Sequence, residues 1–342
     1  MDGSGGRARV GRRGENGRVG FDWISFTTDY GTSDAFVGIC KGVIAGIAPH
    51  ARVLDVTHAI GPQDVRRGAS VLASAMPYLP VGVHVAVVDP GVGTARRGVV
   101  IVAGASVLVG PDNGLLLPAA DALGGARGCF ELSEPRFRLP VVSATFHGRD
   151  IFAPAAAHLA NGERPGVFGA EVDPGELVRL PEPVLRVGDG VMEAEVVGVD
   201  HFGNVQLAGG ADALAAVGAR GERVIVEFGQ SEHAAVVGRT FGDVPEGGLL
   251  VHVDSAGAVA IAVNGGSAAA VLGSGGGAAG QAAANTTASA AGAAAGMAAS
   301  AAAGVTEGAA EVAGGAVERA AARVAGGVVG GMAGVMVVVR RG

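Results

Sequence analysis

Cysteine and aromatic residues are both scarce in this chain of 342 residues, which has two cysteines and 4% aromatic side chains. Cys40 and Cys129 lie far apart in apolar segments, so they form neither a metal-binding spacing nor a disulfide framework. Such cysteine usage is typical of a reducing compartment, and we therefore expect a cytoplasmic protein without structural disulfides.

An excess of positive charge is also missing, because the formal net charge is −7. This balance gives no general attraction to nucleic acid, and we expect no nucleic-acid partner. Phosphate-binding loops are absent as well. Gly91-Val92-Gly93 begins like a dinucleotide fingerprint, but Arg96 occupies the place of the third glycine, and no P-loop sequence occurs. Nucleotide binding through a phosphate loop is therefore disfavoured.

Long apolar runs are lacking at both ends of the chain. Residues 1–20 carry five arginines among glycines and no apolar core, which predicts a disordered basic leader rather than a secretory signal. Residues 274–342 form an Ala/Gly-rich tail, which we expect to be disordered or weakly helical. Val324–Val339 is apolar but shorter than the roughly 20 residues of a membrane span. We expect no stable span, and a surface-associated helix is left open.

Strand and helix patterns alternate between residues 22 and 175. Strands are predicted at Ile24–Thr28, Val53–Thr57 and His84–Asp89, with helices at Ala35–Ile47 and Gln63–Met76 between them. This rhythm predicts an α/β domain with a mostly parallel sheet. Between residues 185 and 273 short strands follow one another with little helix, and this pattern predicts a small antiparallel β-barrel domain.

Charged side chains follow two of the predicted parallel strands. Asp29 comes directly after the first, Asp89 ends the third, and Arg96 lies in the loop that begins at Asp89. Functional groups collect at the carboxyl ends of parallel strands, so this edge is a candidate site. His147 stands at a predicted helix entry. From the residues alone, a turn-capping Asp89 and a solvated Arg96 are left open, and a lone histidine such as His147 is more often structural than catalytic.

Seven motifs occur together in one order, and with them the chain resembles the S-adenosylmethionine hydroxide adenosyltransferases, or S-adenosylmethionine hydrolases (adenosine-forming), which are related to fluorinases and chlorinases. The motifs begin at Thr28-Asp29-Tyr30-Gly31, Pro62-Gln63-Asp64-Val65, Val88-Asp89-Pro90-Gly91, Gly110-Pro111-Asp112-Asn113, Thr145-Phe146-His147-Gly148, Asp200-His201-Phe202-Gly203-Asn204 and Asp254-Ser255. The resemblance covers about residues 23–273 and implies an α/β domain followed by a β-barrel.

The resemblance also implies an assembly and a set of site residues. It implies a homotrimer whose active sites lie between the N-terminal domain of one subunit and the C-terminal domain of its neighbour. The catalytic set is an Asp-Arg-His group, here Asp89, Arg96 and His147. The residues assigned to the substrate are Asp29 at the ribose, Asn204 at the adenine, Asp200 and Ser255 at the methionine end, and Asp34 and Asn113 in matching motifs.

The implied reaction is hydrolysis of S-adenosyl-L-methionine, by attack of water or hydroxide on the ribose C5′, to adenosine and L-methionine. No metal and no cofactor are expected, and Asp89 and His147 are the candidates to orient the water and accept its proton. The halogenating relatives carry tyrosine and threonine at positions 89 and 92 of this chain, and tyrosine and serine at 147 and 148. A carboxylate at position 89 repels a halide by about 4 kcal/mol at about 4 Å and an effective dielectric of about 20, so we expect no halogenase.

The resemblance departs at Ala256, because the halogenating relatives have an arginine there that follows the serine at position 255. Two other functions are left open. A non-enzymatic binder of S-adenosylmethionine or a nucleoside would need Asp29 and Asn204, but not the Asp-Arg-His group. A metal-dependent hydrolase would use carboxylates such as Asp29, Asp34 and Asp89 with His147, and would lose activity in a chelator.

Overall fold

The computed structural model describes residues 20–188, 190–273, 332 and 334–342. The predicted basic leader and most of the Ala/Gly-rich tail lie outside these residues. The chain divides into two compact units, Met1–Pro181 and Glu182–Gly342. The division falls in the connector between the two predicted domains, and each unit is described by itself below.

The first unit contains a seven-stranded sheet in the order β2-β1-β3-β5-β4-β6-β7. The strands are β1 (Trp23–Thr28), β2 (Arg52–Thr57), β3 (Val83–Val87), β4 (Gly98–Ala103), β5 (Ser106–Pro111), β6 (Ala126–Glu131) and β7 (Glu171–Val172). The pairings among β2, β1, β3 and β5 are parallel, and β4, β6 and β7 extend the sheet through antiparallel pairings. The predicted mostly parallel sheet is confirmed.

Four α-helices belong to the described part of this unit: α1 (Phe36–Ile47), α2 (Val65–Ala75), α3 (Leu117–Ala122) and α4 (Ala153–Ala160). Helix α2 begins where the Asp64 side chain accepts the amide of Arg67 at 2.9 Å, a side-chain N-cap. Helix α4 is preceded by a π-helical turn at Gly148–Phe152, which begins one residue later than His147. Such turns are rare and are frequent at functional sites.

The order of the strands places a crevice between β1 and β3. After β1 the chain forms β2 on one side of this strand pair. After β3 it forms β4 and β5 on the other side. Ligands bind in parallel sheets at the carboxyl ends of the two strands that flank such a reversal. Thr28 and Val87 are register partners at these ends, so Asp29 and Asp89 follow neighbouring strands at the same edge.

The second unit is built around a closed ring of seven strands: β9 (Val191–Val199), β10 (Val205–Leu207), β14 (Val259–Val263), β13 (Leu249–Val253), β12 (Ser231–Val237), β11 (Arg223–Phe228) and β15 (Met336–Arg341). The pairing of β9 with β10 closes the ring, and β8 (Leu185–Gly188) pairs with β9 outside it. The predicted barrel is confirmed. Short helices α5 (Ala211–Val217) and α6 (Ala268–Gly273) pack on its core.

Two features of the barrel differ from the sequence expectation. Strands β12 and β13 pair in parallel, because the chain between them crosses over instead of forming a hairpin. Residues 336–341, which we expected to belong to a disordered or weakly helical tail, form β15 between β9 and β11. Val337 and Val339 are fully buried in the barrel core, so alternating apolar side chains specify a strand within an Ala/Gly-rich context. Among the described helices, none has the length and apolar character to cross a bilayer.

Candidate active site

A three-residue cluster of Asp89, Arg96 and His147 lies at the crevice between β1 and β3, and we call it the Asp–Arg–His cluster. Arg96 Nε donates to Asp89 Oδ1 at 3.1 Å, and Arg96 Nη2 donates to Asp89 Oδ2. The same Nη2 lies 3.0 Å from Nδ1 of His147. Arg96 thus bridges the two other residues of the predicted catalytic set.

Two members of the cluster, Arg96 and Asp89, are largely buried. The side chains of Arg96 and Asp89 are 9% and 5% exposed, and the guanidinium stacks over the ring of Phe152, 5.3 Å from its centroid. Phe152 is the last residue of the π-helical turn that begins after His147. One short segment therefore supplies both the histidine and the aromatic face on which the arginine rests. An ion pair in such surroundings is screened little by solvent.

The contact with Arg96 defines the state of the His147 ring. A guanidinium has only donors, so Nδ1 of His147 accepts this bond and the proton of the neutral ring sits on Nε2. Burial lowers the pKa of His147, and the positive charge of Arg96 lowers it further. His147 is thus neutral at neutral pH and presents an N–H donor. The nitrogen of His147 that could accept a proton is therefore the one that contacts Arg96.

Asp29 lies at the same edge, after β1. Its Oδ2 accepts the backbone amide of Gln63 at 2.9 Å. Burial raises the pKa of Asp29, and the nearby charge of Asp89 adds to this effect. Gln63 has a φ of 64°, the one non-glycine residue with positive φ among those described. Strained backbone concentrates at functional sites, and here it aims an N–H at the carboxylate expected to hold the ribose. Nothing in the sequence indicates this conformation.

The other predicted substrate residues of the first unit take different positions. Asp34 is exposed ahead of α1, whose N-cap position is Ala35. Asn113 follows β5 at the same edge of the sheet as Asp89, but its amide group contacts the backbone of Val88 and Leu115. Tyr30, next to Asp29, packs edge-on against Phe146. The structure therefore brings four predicted site residues to one edge of the sheet: Asp29, Asp89, Arg96 and His147. The side chain of Asn113 is instead hydrogen-bonded to the backbone.

Asp200 and Asn204 form one turn before β10 in the barrel. Asp200 Oδ1 accepts the amides of Phe202 and Asn204, both at 2.9 Å, and Oδ2 accepts Nδ2 of Asn204 at 2.7 Å. Asn204 is 8% exposed, and Phe202 at the tip of the turn is 73% exposed. The turn presents a carboxylate and a carboxamide in a fixed relation to each other.

Ser255 stands in a second turn, between β13 and β14. Asp254 organises this turn, because its Oδ1 accepts the amides of Ala256 and Ala258 at 2.8 Å and 3.0 Å. The two turns flank opposite ends of β10, where Val205 pairs with Ile261 and Leu207 with Val259. The contacts described for the barrel do not join Ser255 to Asp200 or Asn204. In the parts of the chain that the structure describes, no group of three or more His, Cys, Asp or Glu side chains has a geometry suited to a metal ion.

Comparisons with known proteins identify a family for both parts of the chain. The family model described as SAM hydroxide adenosyltransferase N-terminal domain matches residues 24–169, and the corresponding C-terminal domain model matches residues 194–279. A protein of Salinispora arenicola named (R)-S-adenosyl-L-methionine hydrolase is 58% identical over 250 residues, covering 73% of this chain and 93% of the relative.

More distant relatives match over a similar span. A protein of the same name from Thermus thermophilus is 45% identical over 261 residues, covering 73% of this chain and 95% of the relative. The crystal structure of an uncharacterized conserved protein from Thermotoga maritima is 38% identical, with a TM-score of 0.68, and the match covers 73% of this chain and 95% of that one. With both of its domains matched and its strand-end residues in place, the chain belongs to the SAM hydroxide adenosyltransferase family.

Proposed function

We propose that the protein hydrolyses S-adenosyl-L-methionine to adenosine and L-methionine. The observation that carries this proposal is the bridge from Arg96 to both Asp89 and His147 at the carboxyl ends of β1 and β3. A protein that only bound the nucleoside would have no need of this buried charged group beside Asp29. The names of the relatives from Salinispora and Thermus support the same reaction, and they favour the (R) epimer of the sulfonium as substrate.

The reaction forms a bond from a water oxygen to the ribose C5′ and breaks the bond from C5′ to sulfur. The electron pair of the broken bond stays on sulfur, so methionine leaves as a neutral thioether. Charge disperses from the sulfonium in the transition state, and a site that excludes bulk water replaces hydration by fixed protein dipoles. The low exposure of Asp89 and Arg96 provides such surroundings.

We propose that two donors hold the attacking oxygen. The bonds described for Arg96 use Nε and Nη2, which leaves the N–H groups of Nη1 for the nucleophile. His147 offers a second donor at Nε2, because its Nδ1 faces Arg96. Donors placed where negative charge resides on oxygen stabilise hydroxide relative to water. His147 therefore orients the oxygen without taking its proton.

Asp89 is the proposed proton acceptor. Each of its carboxylate oxygens receives one bond from Arg96, and each has a further lone pair for the water. The proton moves to Asp89 as the bond from the water oxygen to C5′ forms, so the attacking oxygen gains the hydroxide character that Arg96 and His147 stabilise. The pairing with Arg96 also reduces the repulsion of halide that we expect from Asp89 alone.

The remaining proposed roles concern the substrate. Asp29 receives one amide bond and has lone pairs left for the two ribose hydroxyls. The turn of Asp200 and Asn204 supplies groups for the methionine ammonium and the adenine edge, and Ser255 contributes at the methionine end. Asp34 lies in a matching motif and is kept as a substrate residue. We propose no cofactor and no metal, so activity is expected to survive a chelator.

Assembly is part of the proposal. The substrate residues are divided between the two units, and the family resemblance implies a homotrimer with active sites shared between subunits. Co-expressed Asp89→Ala and Asn204→Ala subunits are then expected to regain part of the activity that each lacks alone. Verified mixed oligomers without activity would contradict shared sites. We further propose a cytoplasmic location, in keeping with the free, buried Cys40 and Cys129.

The decisive experiment uses isotopically labelled water. Purified protein is incubated with the separated (R) and (S) epimers of S-adenosyl-L-methionine, with and without chelator, and the products are identified by mass spectrometry. We expect adenosine labelled at its 5′ oxygen, formed from the (R) epimer and insensitive to chelator. Binding without product would favour a non-enzymatic binder, loss of activity in chelator would favour a metal-dependent hydrolase, and a halogenated nucleoside would contradict hydrolysis.

A further inference from the structure

The side chain of Asn113 ties together two stretches of backbone at the active-site edge of the first unit. Its Nδ2 donates to the carbonyl oxygen of Val88 at 2.9 Å, and its Oδ1 accepts the amide of Leu115 at 3.2 Å. Val88 lies one residue beyond β3 and directly before Asp89. Asn113 therefore fixes the chain at the point where the loop of residues 89–97 begins.

The preceding residue of the same segment, Asp112, fixes the other end of that loop. Asp112 Oδ2 accepts Nε and Nη2 of Arg97 at 3.1 Å and 2.8 Å, and Oδ1 accepts the amide of Val178 at 2.9 Å. The backbone amide of Asp112 donates to the carbonyl oxygen of Arg97 at 2.9 Å. The Asp112 side chain is 4% exposed, and these partners replace the hydration that burial removes.

The middle of the loop rests against the segment that leads to His147. Gly93 has a φ of 78°, and a Cβ at this position would lie 2.4 Å from the carbonyl oxygen of Ala144. Ala144 precedes His147 by three residues. The loop is thus held at its start by Asn113, at its middle by close packing on Ala144 and at its end by Asp112, all within one unit.

We infer that Asn113, with the pair of Asp112 and Arg97, positions Asp89 and Arg96 against His147. The two neighbouring arginines have different partners. Arg97 forms an ion pair with Asp112, and Arg96 contacts Asp89 and His147. Asn113 acts through the backbone of Val88 and makes no contact with the substrate. This inference rests on the proposed hydrolysis. In place of the expected contact between Asn113 and the substrate, it gives Asn113 a role in setting the turnover rate.

The test compares Asn113→Asp with Asn161→Asp. The first change replaces the donor to Val88 by an acceptor of the same shape. The second removes an equivalent bond, from Nδ2 of Asn161 to the carbonyl oxygen of Ile47 at 2.8 Å, away from the cluster. We expect Asn113→Asp to lower kcat by about 10- to 100-fold with KM changed by less than about threefold, since small misplacements of reacting groups are costly. Asn161→Asp should turn over like the native protein.

A double-mutant cycle separates positioning from a general loss of structure. In an Asp89→Asn background, measured by single turnover with protein in excess, Asn113→Asp should cost little further activity, because the group that it positions is already altered. An equal cost in both backgrounds would overturn the inference, as would a rise in KM at constant kcat, which would show a substrate contact.

A second variant covers the case in which Asn113→Asp does not fold. Arg97→Lys keeps the charge opposite Asp112 but loses the paired geometry, and it should lower kcat without changing KM. Unchanged kcat in both folded variants would refute the positioning role while native activity persists. Absence of adenosine from the native protein would instead refute the proposed function.

Discussion

The hydroxyl of Tyr30 occupies the space that a side chain at Gly148 would need. A Cβ built on Gly148 would lie 2.1 Å from Tyr30 Oη and 3.0 Å from its Cζ. Tyr30 has little room to retreat, because it packs against Phe36 and Phe146. The halogenating relatives have a serine at the position of Gly148, so Tyr30 and Gly148 together exclude that side chain from this site.

We predict that Gly148→Ala lowers the stability of the protein by about 1–3 kcal/mol through overpacking. In a Tyr30→Phe background the same change should cost at least about 0.5 kcal/mol less, because the nearest atom is gone. Denaturant unfolding of the four proteins measures this coupling. Gly242→Ala, where an added Cβ meets no atom within 4 Å, is the control and should stay within about 0.5 kcal/mol of native. Additive losses would contradict the steric relationship.

Removal of any member of the Asp–Arg–His cluster should lower kcat by at least about 100-fold. Asp89→Ala, Arg96→Ala and His147→Ala each break the unit that Arg96 bridges, so the losses should not add in double variants. Steady-state kinetics with (R)-S-adenosyl-L-methionine measure the effect. Arg220→Ala, which removes an exposed pair with Asp243 in the barrel, should leave kcat unchanged. Full additivity would argue for three independent roles.

The pH dependence of kcat follows from the neutral state of His147. Burial and Arg96 lower the pKa of His147 from its ordinary value, so protonation should abolish its bond to Arg96 only in acid. Activity should therefore be constant through neutral pH and fall on the acidic side, with a midpoint below about 6.5. His147→Gln keeps a donor but does not titrate, and its residual activity should lack this acidic limb. A midpoint at or above the ordinary histidine value would contradict the assigned ring state.

A second histidine should make stability depend on pH. His84 is buried in β3 with its Nδ1 2.8 Å from the hydroxyl of Ser25, and burial lowers its pKa to about 4. Between about pH 6.5 and 4 the unfolded chain binds a proton at this residue that the folded chain does not. Stability should thus fall by about 3 kcal/mol as pH falls through this window. His84→Gln should flatten the slope, and an unchanged slope would show that other groups dominate.

Strand β15 should be indispensable, whereas most of the connection before it should not. Deletion of residues 336–342 removes both pairings that link β9 to β11 and exposes the core around Val337 and Val339, so we expect loss of cooperative folding. Replacement of residues 278–328 by a flexible Gly/Ser linker of about ten residues removes no described pairing and should preserve folding and activity. Circular dichroism, thermal unfolding and product assays distinguish the two. A folded, active protein without β15 would contradict its place in the barrel.

Local pattern was sufficient to predict the architecture and the sheet edge that carries the candidate site. Alternating strand and helix signals predicted the parallel sheet, and the strand ends at Asp29 and Asp89 predicted which residues would share an edge. The meeting of Arg96 with His147 across more than fifty residues followed from the family resemblance, because no periodicity relates the π-helical turn to the loop of residues 89–97.

The sequence did not predict features that depend on backbone conformation or on strands that are distant along the chain. The hydrogen bonds described for Asn113 go to main-chain groups, and Gln63 acts through an unusual φ, so the residue types alone do not predict either role. The strand at Met336–Arg341 was missed because its partners lie more than one hundred residues earlier in the chain. Short apolar runs among alanine and glycine carry little local signal, and the neighbouring strands decide their conformation.

The position of β15 also determines the order in which the barrel can form during synthesis. Strands β9 and β11 are made before residue 230, but the strand that joins them ends at residue 341. Until then, one edge of each lacks the strand that pairs with it in the described structure, and unpaired strand edges are sites of misassembly and aggregation. The first unit is complete by residue 181, so it is free to fold before the last strand of the barrel has been synthesised. Slow translation or premature release before residue 336 should therefore yield chains with a folded first unit and a barrel that is not closed. The unpaired strand edges of such a barrel are prone to aggregation.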